Sequence, residues 1–355
     1  MLMFTVLTIL VIGMVSCSYT PAIVDTNGDV VPGSIAEMVP VTLGGFEQWL
    51  VIRGVDRTNP VLLFIHGGPG TAETPLVFSL MKDLQEDFVV VTWDQRGAGL
   101  SFSKDVPPET MTIEQFITDG HELVEYLKER FGAEKIYIMG HSWGTVIGMR
   151  LIDRYPEDFY AYVGIGQVVN KTENERISYE YVYNKAVETG NEEAIRELEE
   201  IGPPVDGMYG DDPLSTDAFR TQRMWLGKLG GVSYGKTSDL QYYSLYIFSP
   251  EYTIFDSLNV LKGNSFSIPL MQHQLFGLDF FTEIPEVQVP VYFFTGRHDY
   301  NSSFELVEEY YNVLKAPKKE LVWFEKSAHS PNLEEPERFT RLMVEKVLAE
   351  TYPRF

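Results

Sequence analysis

The chain has 355 residues, 44% of them hydrophobic and 22% charged, enough to bury a large core in one α/β domain or in a domain with an insertion. Its 28 basic and 51 acidic residues leave a net charge of −23, which argues against nucleic acid or an anionic membrane surface as the main partner. One cysteine, Cys17, excludes an intramolecular disulfide, so the core must hold the fold.

Residues 2–16, "LMFTVLTILVIGMVS", are uncharged and mostly apolar, and the first charge is Asp25. The run is short for a bilayer span, which takes about 20 residues, and suits the apolar region of a secretory signal. Met14-Val15-Ser16-Cys17 loosely matches a lipoprotein cleavage site, so residues 1–17 are expected to be a signal or a lipid or membrane anchor. An exported or membrane-attached protein is the first expectation; an uncleaved anchor and a buried N-terminal helix, with a cytoplasmic location, are the alternatives.

Next come "VPVTLGG" and "FEQWLVIRG", which predict a hairpin. "VLLFIH" (61–66) and "FVVVTWD" (88–94) are apolar throughout, the pattern of strands covered on both faces. Ile113, Phe116, Ile117, Leu123, Val124, Leu127 and Phe131 recur at three- and four-residue spacing and predict an amphipathic helix. "KIYIMG" and "AYVGIGQVV" (161–169) read as further strands, followed much later by "VPVYFFTG" (289–296) and "ELVWFE" (320–325). A last helix is predicted around Phe339–Leu348. Strands alternating with helices imply an α/β fold with a mostly parallel, doubly wound sheet. Residues 169–284 break that rhythm. From Glu173 to Asp217 there are thirteen acidic residues against three basic, then a Gly-rich turn and an aromatic stretch. This segment is expected to be a mainly helical lid inserted into a core formed by 18–168 and 285–355.

The chemistry concentrates where strands end. In "GHSWG" (140–144), Ser142 stands between two glycines at a strand-to-helix joint, the setting of a nucleophile elbow. A serine needs a base, and the base needs an orienting carboxylate. Of six histidines, His329 in "SAHSPNLEEPERF" lies past the last strand and is the candidate base; Asp299 in "FFTGRHDY" follows the preceding strand and is the candidate acid. His66 and His141 sit in glycine-containing turns and are expected to fix loop shape, while His121 and His273 are structural or surface candidates. "HGGPG" (66–70) directly follows a strand, and Gly68 (or Gly67) with Trp143 could supply N–H donors to an oxyanion. Neither HExxH nor a paired-cysteine pattern occurs, so no metal and no organic cofactor is expected.

Together "HGGPG", "WDQRGAGLS" (93–101), "GHSWG", "GRHD" (296–299) and "SAHSP" (327–331) make the chain resemble the proline iminopeptidase-like α/β-hydrolases over roughly residues 40–168 and 285–351. The resemblance implies an α/β-hydrolase fold, Ser142 as nucleophile, His329 as base, Asp299 as its orienter, and Gly68 with Trp143 as the oxyanion hole. It also places Asp94 and Arg96 in a loop that in the family shapes the entrance, and both are expected to be structural. Family aminopeptidases hold the substrate's free amine with lid glutamates near a Trp-x-x-Trp-Glu pattern. Here "RMWLGKL" (223–229) departs from it, and Glu173, Glu175 and Glu180 are unassigned carboxylates. The expected activity is aminopeptidase-like release of N-terminal proline or a small residue through an acyl-enzyme. A carboxylesterase with the same triad and a non-catalytic binding module are the alternatives. The expected partner is a small peptide, amide or ester.

Overall fold

Eight short apolar segments pair into one sheet: β1 (Ile35–Leu43), β2 (Phe46–Gly54), β3 (Val61–Ile65), β4 (Val89–Asp94), β5 (Ile136–His141), β6 (Phe159–Ile165), β7 (Val291–Gly296) and β8 (Lys319–Phe324). Their spatial order is β1-β2-β4-β3-β5-β6-β7-β8. Pairings β1–β2 and β2–β4 are antiparallel and all others are parallel, so only β2 runs against the rest. The computed structural model describes residues 18–210, 216–235 and 239–353. The signal-like run and Cys17 lie outside the described residues. Among the described residues no helix is long and apolar enough to cross a membrane.

Alternation along each strand divides the core between two faces. Leu63 and Ile65 join Ile138 and Val91 on one face, whereas Leu62 and Phe64 join Tyr137, Met139 and Val90 on the other. The first face is covered by α2 (Ile113–Phe131) and α3 (Trp143–Arg154), through Phe116, Leu123, Val146 and Ile147. The second is covered by α1 (Thr74–Leu80) and by the C-terminal helical segment, through Val77, Phe339, Met343 and Val347. Each such side chain, removed from water, contributes roughly 1.5–3 kcal/mol. Thr112 caps α2 by accepting from Gln115 N–H, and Gly132 at φ 61° ends it.

Between β6 and β7 the chain leaves the sheet. It forms α4 (Lys171–Thr189), α5 (Glu192–Ile201), α6 (Asp217–Lys228), α7 (Asp239–Phe248) and α8 (Ile254–Leu275). A separate apolar cluster, Tyr179, Val182, Leu198, Trp225 and Leu226, holds α4, α5 and α6 together. The aromatic stretch, featureless by strand–helix rhythm, is two helices; the second starts at a capping box between Thr253 and Asp256. Strand β6 stops at Ile165, four residues before the apolar run does, because Gly166 turns the chain at φ 54°.

Candidate active site

The two glycines around Ser142 are sites where backbones touch. A Cβ on Gly144 would lie 2.1 Å from the carbonyl oxygen of Ile65, and one on Gly140 would lie 2.6 Å from that of Gly144. No other residue lets α3 start so close to β3 and β5. Ser142 itself sits at φ 51°, ψ −116°, a conformation costing a non-glycine residue about 1–3 kcal/mol. It is pinned there by its own N–H, which donates to Ile165 O at 2.8 Å, and by its carbonyl, which accepts from Thr145 N–H at 2.9 Å. The side chain is only half-buried and borders a cavity of about 230 Å³.

Gly68 and Trp143 border the same cavity. Trp143 opens α3, where the first N–H groups have no intrahelical acceptor. The "HGGPG" loop is held from behind by His66, whose Nδ1 is 2.8 Å from Gly67 O and whose Nε2 accepts from Gln95 N–H at 3.2 Å. Burial pushes this imidazole down to about 4, so it is neutral and able to do both. Gln95 extends the link by accepting from the Trp143 indole at 3.0 Å. Asp94 and Arg96 are framework and do not border the cavity: Asp94 accepts from Thr74, Leu100 N–H and Tyr252, and Arg96 makes a two-pronged contact with buried Asp119 at 2.9 and 3.0 Å.

Asp299 and His329 come together from the loops after β7 and β8. Oδ2 of Asp299 lies 2.9 Å from Nδ1 of His329, and Asp299 is fully buried. Its Oδ1 accepts the N–H groups of Asn301 and Ser302, both at 2.9 Å. His329 Nε2, the atom a serine proton would reach, is 3.0 Å from Asn301 Nδ2. The amide, not the Ser142 hydroxyl, is its hydrogen-bonding neighbour here, and Asn301 shares the cavity wall with Ser142.

Helical-insert contacts that sequence reasoning missed fix both loops. Asn174 on α4 accepts from Ser303 N–H at 2.7 Å and donates to Asn301 O at 2.9 Å. The Gly-rich turn after α6 supplies Val232 O to His329 N–H and Gly231 O to Tyr300 N–H, each at 3.0 Å. His141 ties the elbow to the last loop. Its Nδ1 is 2.7 Å from Glu73 Oε1 and its Nε2 is 3.2 Å from Ser330 Oγ. Burial works against its cationic form, but Glu73 outweighs that and raises its pKa.

The insert also sets the cavity's charge. Lys171 and Arg223 border it, and both bond Oε1 of the fully buried Glu175. Burial alone would raise the Glu175 pKa, but Arg223 and Lys171 reverse this and hold it at about 2. Lys171 moves down instead, because burial and the neighbouring Arg223 outweigh its share of Glu175. Glu173 and Glu180 point elsewhere and pair with the exposed Arg176. His121, Glu125 and Asp158 also converge, with ligand atoms within 4.8 Å of one another, but Lys128 Nζ already bonds both carboxylates.

Comparisons with known proteins agree with this architecture. A family model described as the alpha/beta hydrolase fold matches residues 60–336, most of the chain. The probable aminopeptidase YbaC of Bacillus subtilis is 34% identical over 312 residues, covering 87% of this chain and 96% of that protein. A proline iminopeptidase of Heyndrickxia coagulans is 25% identical over 292 residues, covering 79% and 88%. Among solved structures, the proline iminopeptidase of Mycobacterium smegmatis aligns with a TM-score of 0.63 at 17% identity, over 89% of this chain and 99% of that one. The chain therefore belongs to the alpha/beta hydrolase fold family.

Proposed function

We propose that this hydrolase cleaves small amides or esters through a Ser142 acyl-enzyme. His329 acts as base, Asp299 as its orienter, and the Gly68 and Trp143 N–H groups as the oxyanion hole. The observation that carries the reading is convergence. A buried carboxylate holds Nδ1 of His329 at 2.9 Å, and the amide at Nε2 shares one cavity with a strained, half-buried serine. In the first step Nε2 displaces its bond to Asn301 and takes the Ser142 proton as Oγ attacks the carbonyl carbon. The tetrahedral oxygen then carries negative charge, which the two N–H groups stabilise. As the C–N or C–O bond breaks, His329 returns the proton to the leaving group; water, deprotonated by His329, repeats the sequence and frees Ser142.

Amides of short peptides are the first substrate reading, because a relative named as a probable aminopeptidase covers almost the whole chain. Simple esters are the second. They are favoured by the cavity wall, where Val146, Val168, Phe219, Ile268 and Leu275 stand and no carboxylate among the described residues is present to hold a free amine. Turnover of proline and alanine arylamides against short p-nitrophenyl esters by the purified protein separates the two. Ester turnover without any amide turnover would remove the peptidase assignment and leave the acyl-enzyme intact.

A further inference from the structure

We infer that the cavity beside Ser142 takes its substrate by an anionic group, a carboxylate bound by Lys171 and Arg223. This rests on the reading of that cavity as the substrate site, and of the two substrate readings it favours the ester over an amide with a free N-terminal ammonium. Among the described residues, these two are the only charged side chains bordering it. Their shared partner Glu175 is fully buried and does not border the cavity. Two cations against one carboxylate leave a charge of +1 beside the reacting serine.

Geometry leaves donors to spare. Lys171 gives one of three ammonium hydrogens to Glu175, its one acceptor among the described residues. Arg223 has five N–H donors and three partners among the described residues, Glu175, Gln222 and Tyr209, so donors remain there too. Phe219 lies 4.3 Å from the Arg223 guanidinium carbon and 5.1 Å from Lys171 Nζ, so its ring braces both cations from one side. The Arg223 and Lys171 side chains are 18% and 11% exposed, which leaves them desolvated yet reachable. In that setting a charge-assisted hydrogen bond to a carboxylate is strong, whereas a substrate ammonium would meet repulsion. The low pKa of Glu175 is consistent with an excess of positive charge around it. The chain's net charge of −23 opposes an approaching anion at long range, but that field is screened beyond about 8 Å at physiological salt, and the two cations decide inside the cavity.

A small diacid half-ester fits the space and the charge. Calorimetric titration of the wild-type protein with glutarate and with the neutral glutaramide is the direct test, alongside kcat/KM for p-nitrophenyl hydrogen glutarate and its methyl ester. Glutarate is expected to bind at least about tenfold more tightly than glutaramide, and the half-ester to exceed the methyl ester by about the same factor. Arg223→Gln should bring both ratios towards one. Glu175→Gln, which removes the competing carboxylate, should raise glutarate affinity, an outcome that loss of packing cannot produce. Equal binding of glutarate and glutaramide by the wild-type protein, or tighter binding of prolinamide than of glutarate, overturns the inference without recourse to any variant. Glutarate preference without an adduct on Ser142 after exposure to a fluorophosphonate would remove the hydrolase reading and keep the anion site; an adduct without the preference would do the reverse.

Discussion

Replacing Asp299 by asparagine changes one atom of a buried group, and the hydrogen bonds around that atom dictate the consequence. The new side chain has one acceptor and one donor end. With its oxygen on the N–H groups of Asn301 and Ser302, both 2.9 Å from Oδ1 in the native protein, the NH₂ faces His329 Nδ1. Nδ1 must then accept, the ring proton moves to Nε2, and the imidazole cannot take a proton from Ser142. Turning the amide round restores the useful tautomer but sets an NH₂ against two backbone donors, that of Ser302 buried and that of Asn301 part-buried. Leaving each of these unsatisfied costs about 1–3 kcal/mol, so the competent form is disfavoured by about 2–6 kcal/mol. At roughly 1.4 kcal/mol per decade, kcat should fall by about 30- to 20,000-fold. Burst and steady-state kinetics on a p-nitrophenyl ester, with the melting temperature measured alongside, provide the assay. Turnover within about threefold of wild type in a folded Asp299→Asn protein would refute the tautomer argument, and with it Asp299 as the orienter.

Gly166→Ala should act through His329: its Cβ would lie 2.7 Å from Cε1 and 2.8 Å from Nδ1 of the ring, at a backbone φ of 54°. Displacing the imidazole by even about 1 Å should cost on the order of 10²-fold in kcat, with an unchanged circular dichroism spectrum showing that the fold is intact. Asn301→Ala removes the amide that competes with Ser142 for Nε2. At about 1 kcal/mol for that bond, labelling of Ser142 by a small fluorophosphonate should speed up about fivefold; a tenfold slowing would mean that the amide assists instead. The pH test uses Glu175, whose folded pKa of about 2 lies below its ordinary value of 4.5. A depressed carboxylate stabilises the fold fully above pH 4.5 and loses that contribution as pH falls from 4.5 towards 2. Glu175→Gln, which strands two cations, should cost about 3–5 kcal/mol at pH 7. In urea titrations that gap should narrow below pH 4.5; a constant gap would contradict the assignment.

Ser142, Asp299 and His329 could be picked out as candidates from the chain alone because each stands just past a run of strand residues, and parallel strands place such ends on one edge of the sheet. The glycines at 140 and 144 were legible for the same reason, since a sharp strand-to-helix turn leaves no room for a Cβ. Asn174, Asn301 and Val232 carried no such mark. The Asn174–Asn301 contact joins residues 127 apart in the chain, and polar loop residues look alike until the tertiary contact exists. Glu175 shows the limit most clearly. Among thirteen acidic residues it resembles a solvated surface charge, and only its four-residue spacing from Lys171 hints at a pair. That both face Arg223, 48 residues further on, is a product of α4 packing against α6. The charge of the cavity, and so the chemistry of what enters it, depends on that packing.

Covalent trapping is the most direct measurement. On exposure to a fluorophosphonate, intact mass spectrometry should show one adduct per chain, peptide mapping should place it on Ser142, and Ser142→Ala should remove it while His329→Ala slows its formation by several orders of magnitude. A folded, unmodified protein, or an adduct on any other residue, would contradict an acyl-enzyme built on this serine.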